Sequence, residues 1–379
     1  MSLVDNLTIR SLQFRDLDWL EQCWPGTATE QLRQWFAPLK LLSAMPGSRR
    51  QLLRLFVAEQ QGRPCGAIQV SPFNQSGSTW RIDRLVTAPV SPSGDRLLLP
   101  QDVGARLLRH CLESIWQART WIVEAPAEDN DQLALFRQTG FQPIAHLGHW
   151  RVPAEVLRQL AAHEPDLPSL LPVGNADAAL LYQLDTVSMP PLLRQVFDRH
   201  VDDFRQSGLK RLGTAMRQQL AQTLTLSAYC FEPQRKAAIG YYNLQLQQGA
   251  PKQFARLTVH PAYTWLYPEL FAHLARLLAA YPTCDLALTA ADYQPEREAF
   301  LTRIGAELER ETVLMSRSVW HKLRETKGLS LEGLQWAEVF PGLQPGGAAI
   351  PGQVSLTPPL RFGTRPDLPG SPWDLPPLL

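Results

Sequence analysis

Two carboxylates and one glycine carry most of the chemistry this sequence could perform. Asp83, in Thr79-Trp-Arg-Ile-Asp83-Arg84, and Glu124, in Trp121-Ile-Val-Glu124-Ala125, each fall in a stretch that reads as a β-strand. A carboxylate so placed can take a proton, directly or through water, if burial raises its pKa. Asp83 lies between Arg81 and Arg84, which favours a surface ion pair over a base, whereas Glu124 stands in an otherwise apolar strand. Gly104, in Gln101-Asp-Val-Gly104-Ala105-Arg106, falls at a strand-to-helix junction. A glycine there lets backbone N–H groups approach a phosphate, and the helix N-terminus adds its positive dipole.

Other chemistries lack their residues. His146 and His149 are three apart on an expected strand, so they face opposite sides and do not chelate one metal. There is no His-Glu-x-x-His, no Gly-x-x-x-x-Gly-Lys and no Gly-x-Ser-x-Gly. The cysteines, Cys23, Cys65, Cys111, Cys230 and Cys284, are dispersed and odd in number, which reads as free thiols in a reducing compartment. None of them has a histidine in motif spacing, so no covalent nucleophile is expected.

The elements that must position these residues follow from periodicity. Leu7 to Leu12 alternates, and Asp16 to Trp24 and Thr29 to Leu42 have helical spacing. Three strands follow at Leu53–Glu59, Cys65–Ser71 and Thr79–Thr87. A helix then puts Val103, Leu107, Cys111 and Ile115 on one face. Thr120–Ala125 is a strand, Asp131–Thr139 a helix stopped by Gly140, and Ile144–Val152 a further strand. Trp19, Trp35 and Trp116 fall on apolar helical faces and read as core.

The plan then repeats. Ala176–Thr186 and Leu192–Phe204 are helical, and Leu224–Phe231, Lys236–Leu246 and Phe254–Val259 are strands. A helix at Pro268–Tyr281, a strand at Asp285–Thr289, a helix to Ile304-Gly305 and a strand at Leu308–Ser318 complete it. Such duplication points to tandem domains. The last 49 residues hold ten of the 32 prolines and six charged residues, so no packed domain is expected there. Trp336, Phe340 and Trp373 make that tail too apolar for a solvated one, and it suits packing on its own domains or docking a protein partner.

Trp80 to Val152, with Gln101-Asp-Val-Gly104-Ala-Arg106 and the later Phe136-Arg-Gln-Thr-Gly140-Phe141, resembles the second half of a GNAT-superfamily fold, the acetyl-CoA-dependent N-acyltransferases. The element order over about 145 residues matches that family's β-α-α-β-β-β-α-β-α-β plan. The resemblance implies an α/β (α+β) chain of two GNAT-like domains, each a mixed, mostly antiparallel sheet flanked by helices. The expected bounds are 1–152, a linker at 153–172, a degenerate copy at 173–325 and a Pro-rich tail at 326–379.

The same resemblance implies acetyl-CoA as co-substrate, with Gln101, Val103, Gly104, Ala105 and Arg106 at its pyrophosphate. Aligned from Gln101, Gly104 falls on the first family glycine and Arg106 where a small residue is wanted. Aligned from Leu107 and Leu108, Gly104 falls on the second small position and Asp102 on the first. Ser91 to Arg96 lengthens the preceding loop and could fold over the site. Leu85 and Val86 stand where a strand N–H meets the acyl oxygen; where the family handles the departing thiol, its asparagine position falls on Asp129, with Asn130 one residue off, and its tyrosine position on Phe136. Phe136 replaces a tyrosine and cannot donate a proton. Asp83 and Glu124 become the candidate bases. In the second copy Ala262 to Pro268 lacks glycine and arginine, and Leu301 takes the tyrosine position, so that half is expected to pack and to shape an acceptor groove.

The expected function is therefore acyl-CoA-dependent transfer to an amine by direct attack. The alternative is a non-catalytic scaffold that docks a protein through its tail. A net charge of +1 advertises no nucleic-acid surface. No stretch approaches eighteen apolar residues and no signal peptide is read, so a cytoplasmic protein without a membrane span is expected.

Overall fold

A computed structural model describes residues 7–24, 54–88, 99–205, 223–280 and 284–319. All of them belong to one unit, Met1–Lys322. The expected helix at 29–42 with Trp35, the loop at 91–96 and the Pro-rich tail lie outside the described residues.

The first half opens with β1 (Leu7–Ser11) and α1 (Leu17–Cys23). Three antiparallel strands follow, β2 (Arg54–Gln60), β3 (Arg63–Pro72) and β4 (Thr79–Thr87). Next come α2 (Pro100–Ser114), β5 (Thr120–Pro126), α3 (Asn130–Gln138) and β6 (Gln142–Val152). α2 turns Val103, Leu107, Leu108 and Cys111 onto Trp80, Ile82, Trp121 and Val123. The alternation of β5 explains the match, because Trp121, Val123 and Ala125 share the face that meets α2 and α3.

Residues 153–172 carry α4 (Ala154–Ala161), which sets Leu157 into a second core, and β7 (Leu170–Pro172), which pairs with β8. The repeat continues through α5 (Ala178–Ser188), α6 (Pro191–Phe197), β8 (Thr223–Glu232), β9 (Ala237–Gln247) and β10 (Lys252–Val259). It ends with α7 (Leu266–Leu278), β11 (Asp285–Ala291), α8 (Pro295–Arg303) and β12 (Glu307–Ser318).

The described strands form one sheet in the order β1-β2-β3-β4-β5-β12-β6-β11-β10-β9-β8-β7. The halves exchange their last strands. β12 pairs with β5, Leu314 opposite Glu124, and β6 pairs with β11, Thr289 opposite His149. β6 and β12 also pair with each other, which joins two sheets into one. Met189, Leu193 and Val196 of the second half then pack on Ile122, Ala145 and Leu314.

Three expectations need correction. The helix expected at 192–204 ends at Phe197, because Asp198 adopts a left-handed φ of 44° before a short 3₁₀ turn at Val201–Phe204. Trp116 is 62% exposed, because α2 stops at Ser114 and Ile115 takes the buried place. The helix containing Gly104 starts earlier than the junction reading implied, at Pro100, which suits the first helical position. No helix among the described residues is long and apolar enough to cross a membrane.

Candidate functional site

β4 and β5 run in parallel only from Thr79 to Ile82 against Thr120 to Val123. Beyond that point β4 stays with β3 and β5 goes with β12, so the strands part. A β-bulge leaves Asp83 without a partner on β3 at the place of parting. The Ala88 N–H donates to Cys65 O on β3, so by alternation the N–H groups of Leu85 and Thr87 point away from β3 into the gap, and that of Val86 points to β3.

The gap is a cleft of about 560 Å³, lined by Leu85, Thr87, Gln101, Gln132 and Leu135 among others. The start of α2 forms one lip. Pro100 has no N–H, and the N–H groups of Asp102 and Val103 donate back to Leu99 O at 2.9 and 3.1 Å. Among the described residues this leaves the Gln101 N–H and the helix dipole to meet an anion. Asp129 and Asp131 also line the cleft, and among the described residues no lysine or arginine does. Asp129 caps α3 by accepting from the Gln132 N–H at 2.9 Å.

The other residues expected at a coenzyme are placed as follows. Gly104 lies buried in the second turn of α2, where a Cβ would come within 2.7 Å of Leu135 Cδ2. Its small size lets α2 and α3 pack closely. Val103 is buried in the same core, Ala105 packs partly against it, and Arg106 is half-buried on α2. Asn130 is exposed at the first position of α3. Phe136 is in the core, edge-on to Phe141. The described residues of the cleft thus offer a narrow gap between parted strands with the start of α2 at its lip.

The second half parts its strands in the same way and then fills the gap. β10 and β11 pair in parallel only at Lys252–Phe254 against Asp285–Ala287. Arg297, 4% exposed, donates from Nη2 to Leu257 O at 2.8 Å and from Nη1 to Thr289 O at 3.1 Å. Its guanidinium also lies 5.7 Å from the Tyr267 ring centre. Both parted strands are bridged by one side chain. The sequence marks the second half as degenerate through Ala262 to Pro268 and Leu301, and gives no local sign of Arg297. The available signal was its position, eight residues before Gly305, as Gln132 stands before Gly140.

The opposite face of the sheet carries the carboxylates. Glu124 accepts from His149 Nε2 at 2.8 Å and from Thr312 Oγ1 at 2.9 Å, both at Oε1. Burial pushes its pKa up, but the hydrogen bonds of His149 and Thr312, with the charges of His149 and Arg310, hold it below the ordinary 4.5. Glu124 is thus ionised at neutral pH. Asp83 accepts from Arg81 Nε at 2.6 Å, its side chain is 12% exposed, and its Oδ2 is buried without a hydrogen-bond partner. His149 and Thr312 were missed as site residues because only strand exchange brings β6 and β12 beside β5. The five cysteines are free. Burial raises the Cys65 thiol to about 11 and Cys230 to about 12, far from a reactive thiolate.

No protein-family model matches the chain, and no curated protein matches its sequence. Solved structures do match its fold. A tandem GNAT protein from the clavulanic acid biosynthesis pathway, solved without AcCoA, superposes with a TM-score of 0.50 at 17% identity, covering 84% of this chain and 100% of that one. A GCN5-related N-acetyltransferase from Sphaerobacter thermophilus gives 0.50 at 13% identity, covering 84% and 97%. The chain has the tandem GNAT fold expected from the sequence.

Proposed function

We propose that this tandem GNAT-fold chain is an acyl-CoA-dependent N-acyltransferase, with acetyl-CoA as the expected donor, and that only its first half binds the coenzyme. The supporting observation is the contrast between an open parting of β4 and β5 and a parting of β10 and β11 filled by Arg297. The organisation carried forward is 1–152, 153–172, 173–325 and 326–379. Free cysteines suit a cytoplasmic setting.

A bound coenzyme would supply an acyl group activated as a thioester. Leu85 N–H, beside Val86, would face the acyl oxygen, and Gln101 at the start of α2 would face the phosphates. Val103, Gly104 and Ala105 fix how α2 sits on α3, which sets the width of the cleft. Asn130 and Phe136 place α3, and Phe136 supplies no proton. The departing thiolate needs one least.

An alkylamine with pKa near 10.4 is neutral in about one part in two thousand at pH 7, so its proton must be taken. A carboxylate held at low pKa is a poor base. Glu124 is therefore assigned the role of orienting His149, whose Nε2–H points to it, leaving Nδ1 to accept the amine proton. Asp83, with one free oxygen where the strands part, is the second carboxylate able to hold the incoming ammonium.

The test is thiol release from acetyl-CoA in the presence of a panel of amines. Release that depends on an amine and falls in His149→Ala supports the reading; no release with any amine contradicts it. The acidic lip at Asp129 and Asp131 favours a second reading, a scaffold without coenzyme that uses residues 326–379 to hold a protein. Loss of a partner on deleting that tail, with no coenzyme binding, would establish it.

A further inference from the structure

Between the β3–β4 turn and strands β9 and β10 lies a second cavity, of about 490 Å³. Phe73 and Gln75 stand on one wall, and Tyr241, Asn243 and Arg256 on the other. The β3–β4 turn is tied to the end of α6 and the 3₁₀ turn after it, in the other half. Asn74 Nδ2 donates to Asp198 O at 2.8 Å, Thr79 Oγ1 donates to Val196 O at 2.9 Å, and the Gln75 N–H donates to Asp203.

The charged groups of this cavity are spoken for, with one exception. Arg199 pairs with Asp185 at 2.8 Å and lies over the Phe73 ring. Arg81, outside the lining but close enough to act on Arg256, pairs with Asp83 at 2.6 Å. Asp203 takes the N–H groups of Gln75 and His200. Arg256 has no ion pair and no hydrogen bond among the described residues. Its side chain is exposed through the cavity, and desolvation by the surrounding walls, then the charges of Arg199 and Arg81, lower its pKa. Tyr241 opposes that shift, and the carboxylates of the two cavities are engaged elsewhere, Asp185 by Arg199, Asp203 by the Gln75 and His200 N–H groups and Glu309 by Lys252. A guanidinium held unpaired beside two others is an oxyanion site.

A further cavity of about 520 Å³ shares Arg256 and Asn243 and reaches Thr289, His149 and Arg310. Strand register sets these residues in two pairs, one on each side of the parting of β10 and β11. Asn243 is opposite Arg256, and Thr289 is opposite His149, which bonds Glu124. Because β10 and β11 have parted at this level, β10 and β6 are separated by more than two paired-strand spacings, that is by more than roughly 10 Å.

We propose that Arg256 binds the oxyanion, carboxylate or phosphate, of an acceptor whose amine lies several bonds away at His149. The acceptor role rests on the acyl-transfer reading, whereas oxyanion binding at Arg256 does not. The spacing favours an amine and an acid separated by a chain over an α-amino acid, whose two groups are too close to span it.

The experiment is calorimetric titration of the coenzyme-free, full-length protein at constant ionic strength. The probes are 6-aminohexanoate, aminobutyl phosphate and, as the uncharged-tail control, hexylamine. The acids should bind more tightly than hexylamine, and the tighter of the two identifies the oxyanion. Arg256→Gln should raise the dissociation constant of that acid about tenfold and leave hexylamine unchanged, and Arg256→Lys should recover part of the loss. Arg310→Gln controls for general positive charge on this face, and should change the constant less than Arg256→Gln does. Equal binding of acids and hexylamine, no binding of either acid, or Arg256→Gln binding like the parent would overturn the proposal. Because no coenzyme is present, a failed coenzyme titration leaves this result standing, and the reverse also holds.

Discussion

Gln132 and Arg297 occupy the same place in the two halves: each is the third residue of a nine-residue helix that ends before a left-handed glycine, Gly140 or Gly305. One lines an open cleft, and the other closes its counterpart by bonding both strands. Arg297→Ala should therefore destabilise the chain by about 2–4 kcal/mol, since it leaves two strand carbonyls buried without donors. Urea unfolding measures this directly. A change below about 0.5 kcal/mol would mean the gap is not closed by that side chain.

The Glu124–His149–Thr312 cluster predicts a division of labour. His149→Ala should lower kcat by about a hundredfold or more while coenzyme affinity stays within twofold. Glu124→Gln should lower kcat less, because it removes the orienting charge and leaves the imidazole. Equal kcat in His149→Ala and the parent would remove His149 from proton transfer.

Stability should depend on pH through Asp16. This carboxylate is 2% exposed and bonded by Arg10 at 2.6 Å. Burial raises its pKa, but the Arg10 hydrogen bond and the Gln13 N–H outweigh that and hold it below 3.8. A depressed folded pKa contributes stability that is present above the unfolded value and lost as pH falls through the folded one. The stability difference between the parent and Asp16→Asn should be full above about pH 5 and shrink below pH 4. A difference that stays constant with pH would contradict the pairing. Arg10→Ala should cost about 3 kcal/mol at pH 7.

Strand exchange makes each half incomplete. Residues 1–152 alone would leave the β5 edge without β12 and expose Leu314's neighbours Ile122 and Ala145. That fragment should be insoluble or oligomeric, and mixing it with 153–322 during refolding should restore a soluble pair. A monomeric, cooperatively folded 1–152 fragment would show that the exchange is dispensable.

Much of the fold was legible because alternation and helical spacing mark buried faces. Thr79–Thr87 has the same bounds in sequence and structure, and Val103, Leu107 and Cys111 fall on the core as their spacing requires. What was not legible depends on distant partners. His149 and Thr312 become site residues only because β6 and β12 change places, and no local pattern encodes that pairing. Arg297 carries no local signal of its role, since its acceptors are carbonyls 8 and 40 residues away. Gly104 was read for its freedom near a phosphate, but its lack of a side chain serves Leu135.

The most direct test of the central claim is calorimetric titration of acetyl-CoA into the full-length protein and into Gln132→Arg, which copies the closure of the second half. The account predicts binding by the parent, lost in Gln132→Arg while the thermal unfolding of the two proteins stays alike. No heat with the parent, or equal binding by the variant, would contradict a coenzyme site between β4 and β5.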